Sequence, residues 1–242
     1  MEIIDNKALL LKVRQPNKIT EVIPKSKSLS SNEVLVNWGL EEAQVLKNLK
    51  IKNVPSPICR NYKWGGKFKP FEHQKETSSF LTLNRRAFVF NEQGTGKTAS
   101  VIWAADYLMK LGFIKRVLVL CPLSIMQSAW GGDLFKFAIH RSVAIAHSYS
   151  REKRIEVVNS DAEFVICNYD GLQIIRDAVN NNEFDLVVVD EANAYKTVTT
   201  KRWKILNSII KPHTWVWMLT GTPASQSPTD AYGLARIINP AN

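Results

Sequence analysis

The residues between positions 87 and 98 have the types and spacing of a phosphate-binding loop, Ala-Phe-Val-Phe-Asn-Glu-Gln-Gly-Thr-Gly-Lys-Thr. The apolar run at its start predicts a buried strand, and the apolar spacing after Lys97 predicts a helix. Backbone N–H groups of a glycine-containing loop and the positive end of a helix dipole both attract phosphate. Lys97 can reach the β- and γ-phosphates of a nucleotide, and the Thr98 hydroxyl suits Mg²⁺. The candidate phosphate-binding residues are Gln93, Gly94, Thr95, Gly96, Lys97 and Thr98.

Two adjacent carboxylates follow a second apolar run, Leu-Val-Val-Val at residues 186–189. Asp190, at the end of this predicted strand, suits Mg²⁺ either directly or through a water molecule. Glu191 is placed to orient and deprotonate a water molecule that attacks a phosphate. Together with Lys97, this acidic pair forms the candidate catalytic set.

Each of these motifs alone has a plainer interpretation. The loop carries Asn91 where the usual phosphate-binding pattern has a glycine, so an ordinary glycine-containing turn between strand and helix stays open. Two acids at a strand end are also typical of a solvated turn. Their occurrence in one chain, in this order, favours nucleotide chemistry.

The bulk composition excludes several classes of protein. The 242 residues are 45% hydrophobic and 22% charged, which is typical of a soluble globular protein with one or two domains. No apolar run approaches the ~20 residues that span a bilayer, and the first residues lack the features of a signal peptide. Cys59, Cys121 and Cys167 are odd in number and contain no Cys-x-x-Cys pair, which favours a reducing compartment without a zinc ribbon. We therefore expect a cytoplasmic or nuclear protein that is not secreted and has no membrane partner.

The positive charge of the chain is concentrated in its first third. Residues 1–69 contain 13 Lys and Arg against 6 Asp and Glu, a net charge of +7, whereas residues 70–242 contain 19 against 16, a net charge of +3. A basic segment favours a polyanionic partner, nucleic acid above all. A solvated lysine-rich surface explains the same charge equally well.

Residues 1–60 are predicted to form a small α+β accessory domain. Its predicted elements are a hairpin of strands Ala8–Val13 and Ile19–Ile23, a polar loop over 25–32, a strand over Glu33–Trp38 and a helix over Leu40–Leu49. Residues 61–70 are predicted to be a linker in which cations and aromatic side chains alternate. That mixture can hold nucleic acid, and it also suits aromatic side chains that pack on the next domain.

From residue 71 to residue 242, apolar strands alternate with helical patterns. The predicted strands are 87–90, 116–120, 143–146, 164–167, 186–189 and 215–219, and the helical patterns include 124–137, 151–158, 171–179 and 201–210. Near-continuous apolar strands are typical of a parallel sheet that is covered on both faces. We therefore predict a three-layer α/β sandwich that binds its ligands at the carboxyl ends of the strands.

Several motifs resemble those of superfamily 2 helicases, and in particular the Swi/Snf-related branch of DNA translocases. Residues 93–98, 190–193 and 219–223 resemble motifs I, II and III. Further similarities are 70–74 to the adenine-reading motif, 117–124 to motif Ia, 166–170 to motif Ib and 230–234 to the helix after motif III. The resemblance covers about residues 68–240 and implies a RecA-like P-loop lobe that uses ATP and Mg²⁺ on duplex or branched DNA without reading its sequence.

The resemblance also implies roles for residues outside the loop and the acidic pair. Gln74 is expected to contact the adenine and Phe71 to pack on the base. Coupling between nucleotide and DNA is expected at Asn193, Thr220 and Thr222. The candidate contacts to the DNA backbone are Ser124, Asn168, Tyr169 and Lys196.

The chain departs from the family pattern at one coupling position and at one candidate DNA contact. Asn193 stands where motif II usually has histidine, a residue that links the nucleotide site to motif III. Asn168 stands where motif Ib usually has threonine, although a polar amide can still contact a phosphate. The residues before the lobe, by their place and charge, resemble the substrate-recognition modules of annealing helicases.

In this family a second RecA-like lobe supplies an arginine finger, and the 242 residues contain no second set of motifs. Because such an arginine is typically worth 10³–10⁵ in rate, we expect this polypeptide to bind ATP but to hydrolyse it slowly. Other functions stay open: a nucleotide-gated DNA-binding module, an RNA helicase, the motor of a restriction enzyme, or a small-molecule P-loop kinase.

Overall fold

The computed structural model describes residues 1–67, 69–222 and 230–239, and the chain divides into two compact units. Residues 1–63 and 82–84 make the first unit, and residues 64–81 and 85–242 make the second. Of residues 61–70, which the sequence suggests as a linker, residues 61–63 belong to the first unit and residues 64–70 to the second in this division.

The first unit is a small antiparallel sheet with short helices. Its strands are β1 (Glu2–Ile4), β2 (Ala8–Lys12), β3 (Ser26–Ser28) and β4 (Glu33–Asn37), and its helices are α1 (Asn17–Thr20), α2 (Leu40–Asn48) and α3 (Ile58–Asn61). The strands lie in the order β1-β2-β4-β3. Alternate residues of β2 and β4, such as Leu9 and Val36, are fully buried and pack with Trp38 and Leu46. The period of two in the sequence therefore places one face of the sheet in the core.

Two sequence predictions in the first unit are wrong. Residues 19–23 do not form a strand, because Pro16 already has helical backbone angles and starts α1, and the Ile23 N–H donates to the Ile19 carbonyl at 2.8 Å. β2 pairs instead with β1 and β4. The polar loop predicted over 25–32 contains β3, which pairs with β4 through its backbone and carries no hydrophobic pattern that could reveal it.

The second unit alternates strands and helices as its sequence predicts. Its strands are β5 (Arg86–Val89), β6 (Val117–Cys121), β7 (Val143–Ile145), β8 (Phe164–Asn168), β9 (Leu186–Val189) and β10 (Trp215–Leu219). The α-helices from residue 72 onward are α4 (Glu72–Thr82), α5 (Lys97–Lys110), α6 (Gly132–Phe137), α7 (Arg151–Asn159), α8 (Tyr169–Asn181), α9 (Lys201–Ile209) and α10 (Asp230–Ile238).

The six described strands of this unit form one parallel sheet in the order β5-β10-β9-β6-β8-β7. One set of alternating side chains, including Val187, Val189 and Met218, packs against apolar residues of α7, α8, α9 and α10. The other set, including Val188 and Trp217, is equally buried, so both faces of the sheet are covered. The predicted α/β fold with a parallel sheet is confirmed.

The helix predicted over residues 124–137 is divided into three parts. A 3₁₀ turn (Leu123–Ile125) is followed by a π-helix (Met126–Gly131) and then by α6. The change from π to α occurs at Gly131 and Gly132, whose backbone angles are both those of a regular right-handed helix. The fully buried side chain of Trp130 lies on the π-helix.

No helix among residues 1–67, 69–222 and 230–239 is long and apolar enough to cross a membrane. The same described residues contain no cluster of three or more His, Cys, Asp or Glu side chains that could hold a metal ion by themselves.

Candidate nucleotide and magnesium site

The loop between β5 and α5 has the backbone form that its glycines permit. Gly94 and Gly96 adopt φ angles of +79° and +75°, a region that side chains with a β-carbon rarely enter. A β-carbon at Gly96 would also collide with the amide of Gln74. Helix α5 begins at Lys97, immediately after this turn, so its first N–H groups face the same side as the loop.

Lys97 is held inside the loop that precedes it. Its ammonium donates to the carbonyl oxygens of Asn91 and Glu92, both at 2.9 Å, and the residue is only 9% exposed. Thr98 follows in the first turn of α5 and is partly exposed. Gln93 is exposed at the start of the loop, beside Gly221. The loop therefore presents an amine and a hydroxyl at the carboxyl end of β5.

Residues that precede β5 in the chain form hydrogen bonds with the backbone of the loop. The Gln74 amide donates to the Thr95 carbonyl at 3.2 Å and accepts from the Phe71 N–H at 3.0 Å, and His73 Nε2 donates to the same Thr95 carbonyl at 3.0 Å. Phe71 is 68% exposed and its ring stacks on His73 with a centroid distance of 5.7 Å. The Gln74 amide is thus engaged by the protein itself, whereas the Phe71 ring is open to a ligand.

Asp190 is a buried carboxylate at the carboxyl end of β9. It is 6% exposed; Trp130 Nε1 donates to one oxygen at 2.9 Å and the Glu191 N–H donates to the other at 3.0 Å. Burial raises the pKa of Asp190, and these hydrogen bonds and the Lys97 charge oppose that rise. Because β5 and β9 both pair in parallel with β10, Lys97 and Asp190 lie at the same edge of the sheet.

The donor set of this edge fits a magnesium ion. Asp190 offers a buried carboxylate and Thr98 a hydroxyl, and Mg²⁺ prefers hard oxygen ligands of these kinds, usually with water and phosphate oxygens completing its shell. A buried carboxylate whose ionised form is disfavoured gains most from a nearby cation.

Glu191 has a left-handed backbone with φ +47° and ψ +55°, an uncommon conformation for a residue with a long side chain. The Tyr169 hydroxyl donates to the carbonyl oxygens of Asp190 and of Glu191, the latter at 3.3 Å. The hydroxyl of Tyr169, a candidate DNA contact, is thus directed towards the acidic strand end.

Asn193 connects the acidic segment with the strand end after β10. Its amide donates to the Thr222 hydroxyl at 2.7 Å, and the Thr222 N–H donates to the Thr220 hydroxyl at 3.1 Å. The Asn193 side-chain oxygen is buried and has no hydrogen-bond partner within the described residues. The three predicted coupling residues therefore form one connected group. Pro223, at the end of the predicted motif III, lies outside the described residues.

A model of the SNF2-related domain matches residues 22–242 of this chain. The chain belongs to the SNF2-related domain family. It is 26% identical to the uncharacterized ATP-dependent helicase YqhH of Bacillus subtilis over 212 residues, which cover 85% of this chain and 36% of that relative. It is also 26% identical to the Caenorhabditis elegans homologue of SWI/SNF-related matrix-associated actin-dependent regulator of chromatin subfamily A-like protein 1, covering 80% of this chain and 28% of that relative.

A solved structure is also similar to this SNF2-related domain. The Sulfolobus solfataricus SWI2/SNF2 ATPase core in complex with dsDNA superimposes with a TM-score of 0.65 at 25% identity, over 74% of this chain and 37% of that one. The RecA-like fold is thus shown. The chain spans roughly a third of the length of these relatives.

The remaining candidate DNA contacts of the SNF2-related domain lie near the carboxyl ends of neighbouring strands. Ser124 is exposed after β6, and Asn168 ends β8 with a buried side-chain oxygen that has no partner among the described residues. Lys196 lies after the acidic segment, and its ammonium pairs with Asp230 at 3.2 Å. Ser124 and Asn168 therefore lie at the ends of adjacent strands, and Lys196 forms an ion pair with α10.

The motif resemblances include His73 and Trp130, but they do not predict the hydrogen-bond partner of either side chain. Trp130 lies 60 positions from Asp190, and His73 lies 22 positions from Thr95. The available signal for Trp130 is general: a buried indole N–H needs an acceptor. It cannot say which acceptor, because that depends on how the π-helix and β9 pack.

Proposed function

We propose that this SNF2-related domain binds ATP with Mg²⁺ and hydrolyses the γ-phosphate bond to drive movement along duplex or branched DNA. The observation that carries the proposal is that Lys97 follows the loop after β5 and Asp190 follows β9, and both strands pair in parallel with β10, so the two charges lie at one edge of the sheet. Phosphate and metal need opposite charges from the protein, and this edge offers both.

The loop is the proposed phosphate cradle. Gly94 and Gly96 allow the backbone to approach phosphate oxygens closely, and the N-terminus of α5 adds its positive dipole end. Lys97 now bonds two loop carbonyls, and phosphate oxygens would replace them as acceptors. The ammonium then neutralises charge that builds up during phosphoryl transfer.

The acidic pair is the proposed catalytic centre. Asp190 and Thr98 would hold Mg²⁺, which supplies neutralisation of the phosphate charge when bound. Trp130 fixes the Asp190 carboxylate by donating to one oxygen. Glu191 would accept the proton of the attacking water, and its fixed backbone keeps the carboxylate near the reacting phosphate.

Base recognition is assigned to Phe71 and Gln74. The exposed Phe71 ring offers a stacking surface for adenine. Gln74 holds Thr95 in this structure, so adenine would take over one of its hydrogen bonds and relax its hold on the loop.

Action on DNA is supported by the relatives, one named an ATP-dependent helicase and another a structure solved with dsDNA. We assign the backbone contacts to Ser124 and Asn168, and the coupling to Asn193, Thr220 and Thr222. Since the chain covers 36% of the Bacillus relative, we propose that a second lobe completes the DNA track and that these 242 residues alone turn over slowly.

The test is nucleotide binding and DNA-stimulated phosphate release by this chain, measured beside Lys97→Ala. We expect Lys97→Ala to lose nucleotide affinity at least 10-fold. Lys115→Ala, which removes an exposed lysine at the amino end of β6, serves as the control and should bind like the parent.

Glu191→Gln separates a motor from a nucleotide-gated binding module. A motor loses phosphate release in this variant but retains nucleotide binding. Unchanged nucleotide-dependent DNA affinity together with no DNA stimulation of the parent would favour the gated module instead. Retained nucleotide affinity in Lys97→Ala would contradict the assigned cradle.

A further inference from the structure

A groove runs between α8 and α9, away from the phosphate loop. Two adjoining cavities of about 310 and 420 Å³ form it, and they share Gln173, Lys201 and Ile205 as lining residues. The groove is therefore continuous along both helices.

The lining of this groove is strongly basic. It contains four cationic side chains, Arg176, Lys201, Arg202 and Lys204, and one carboxylate, Asp170. Within the described part of the chain, the ammonium groups of Lys201 and Lys204 make no ion pair or hydrogen bond. Arg202 pairs with Asp170 at 2.7 Å. Arg176 pairs with its neighbour Asp177 at 2.8 Å. The positive charge that the described residues do not pair is therefore that of Lys201 and Lys204.

A buried hydroxyl beside the groove also has no partner. Tyr195 is 0% exposed, and its hydroxyl makes no hydrogen bond among the described residues. The Tyr195 ring packs edge-on against Tyr169, a lining residue of the groove, at a centroid distance of 5.4 Å. A buried polar atom without a partner costs about 1–3 kcal/mol and calls for an explanation such as a ligand or a water.

One side chain connects this groove with the catalytic acids. The Arg202 guanidinium lies over the Tyr169 ring at 5.2 Å from its centroid, and Tyr169 also packs edge-on against Tyr195. The Tyr169 hydroxyl donates to the backbone carbonyls of Asp190 and Glu191. A displacement of Arg202 would therefore act directly on the residue that holds the acidic strand end.

We propose that the α8–α9 groove binds the phosphodiester backbone of duplex DNA and that Tyr169 transmits this binding to the acidic pair. Lys201 and Lys204 make the primary phosphate contacts, and Arg202 exchanges Asp170 for a phosphate oxygen. The inference rests on the proposed function and adds to it a DNA contact surface and a route of coupling.

The surface is tested by fluorescence anisotropy with a fluorescein-labelled, mixed-sequence DNA duplex over a series of salt concentrations. We expect Lys201→Ala/Lys204→Ala to bind about 10-fold more weakly, with a salt slope smaller by about 2, because each lost phosphate contact lowers the slope by roughly 0.9. Lys115→Ala/Lys211→Ala removes the same charge near the amino ends of β6 and β10, and it should change affinity less than 2-fold.

Equal losses in both double variants, or no loss in the groove variant, would overturn the surface while leaving DNA binding by the domain intact. If the parent chain binds no duplex at any salt concentration, the proposed function fails together with the inference. The three results are therefore distinguishable in one experiment.

The coupling is tested with Tyr169→Phe, which keeps the ring beneath Arg202 and removes only the hydroxyl. The duplex dissociation constant is measured with and without a non-hydrolysable ATP analogue and Mg²⁺. In the parent, we expect the two dissociation constants to differ 5-fold or more, as is typical of coupled sites. In the variant, we expect them to be nearly equal. A ratio near one in the parent, or equal ratios in both proteins, would refute the route through Tyr169. Circular dichroism melting confirms that the variant is folded.

Discussion

At the scale of single residues, the two aspartates that flank β9 are expected to have opposite effects on the stability of the fold. Asp185, at the amino end, accepts the Lys115 and Arg116 N–H groups at 2.7 and 3.0 Å. Asp190, at the carboxyl end, is buried with a raised pKa, so its ionised form is disfavoured in the fold without a cation. The first therefore stabilises the fold through its hydrogen bonds, whereas the second is the proposed ligand of magnesium.

We expect Asp190→Asn to raise the melting temperature of the ligand-free chain by ~2–4 °C, which corresponds to about 1 kcal/mol in a protein of this size. The substitution removes a buried charge and keeps an oxygen for Trp130, and the charge it removes outweighs the lost acceptor for the Glu191 N–H. Asp185→Asn should lower the melting temperature by a similar amount, since it weakens two charge-assisted hydrogen bonds. Thermal melting without Mg²⁺ measures both, and a lower melting temperature for Asp190→Asn would contradict the interpretation.

Trp130 is predicted to act on magnesium through Asp190. Trp130→Phe removes the indole N–H that fixes the carboxylate, so we expect Mg²⁺ affinity in the presence of nucleotide to fall about 10-fold, as for other groups that orient a metal ligand. Trp103→Phe is the matched control, because Trp103 is equally buried and donates to the Gly65 backbone at 3.0 Å instead. A Mg²⁺ titration of nucleotide-analogue binding compares them; equal effects would assign Trp130 to packing alone.

At the scale of secondary-structure elements, the close approach of α10 to the residues after motif II depends on Gly233. A β-carbon at this position would collide with the Lys196 backbone carbonyl. In an ordinary helix, replacing glycine by alanine stabilises by up to ~1 kcal/mol. Here we expect Gly233→Ala to destabilise by ~1–3 kcal/mol, because a backbone atom cannot move aside easily.

The matched control for Gly233 is Gly132→Ala in α6. Its new β-carbon would meet nothing nearer than 3.9 Å, and its backbone is already helical. Chemical denaturation measures the change in the free energy of unfolding for both variants. Destabilisation by Gly233→Ala together with stabilisation by Gly132→Ala supports the close contact at α10, and stabilisation by both would argue against it.

The reactivity of the cysteine thiols tests whether the ends of β6 and β8 are buried. Cys121 and Cys167 are fully buried on these paired strands, and burial raises the pKa of both thiols, that of Cys167 to about 12. Because the thiolate is the reactive form, both should stay unreactive between pH 7 and pH 9. We expect an alkylating reagent to modify the exposed Cys59 alone in the native chain and all three cysteines in denaturant, as counted by mass spectrometry.

The strands of the second unit could be predicted from sequence because burial on both faces makes them continuously apolar. All six agree with the structure within one residue at each end. β3 could not be found this way, since backbone pairing with β4 needs no apolar side chains. The hydrogen bond from the Tyr169 hydroxyl to the Asp190 carbonyl could not be predicted either. The motif fixes the position of Tyr169 after β8, but it does not indicate which group accepts from its hydroxyl.

At the scale of the whole molecule, charge and chemistry reside in different parts of the chain. Residues 1–69 carry +7 of the total net charge of +10, whereas the phosphate loop and the acidic pair lie between residues 93 and 191. A DNA-binding accessory unit and a solvated basic surface predict different results when that charge is removed.

We expect Lys18→Gln/Lys25→Gln/Lys27→Gln to weaken duplex binding by 5-fold or more while nucleotide affinity stays unchanged. The three lysines are exposed in the first unit, and phosphate contacts should lower both the affinity and its salt dependence. Anisotropy with duplex and with a fluorescent nucleotide gives the two affinities. Unchanged duplex binding would identify the charge as a solvated surface.

The left-handed backbone at Glu191 has a consequence for protein engineering. Such a conformation costs a residue with a β-carbon about 1–3 kcal/mol, a cost that glycine avoids. A library screened only for heat resistance should therefore enrich glycine at position 191, and under the proposed function such variants lack the carboxylate that activates water. Selection of this domain for robustness needs a simultaneous screen for phosphate release.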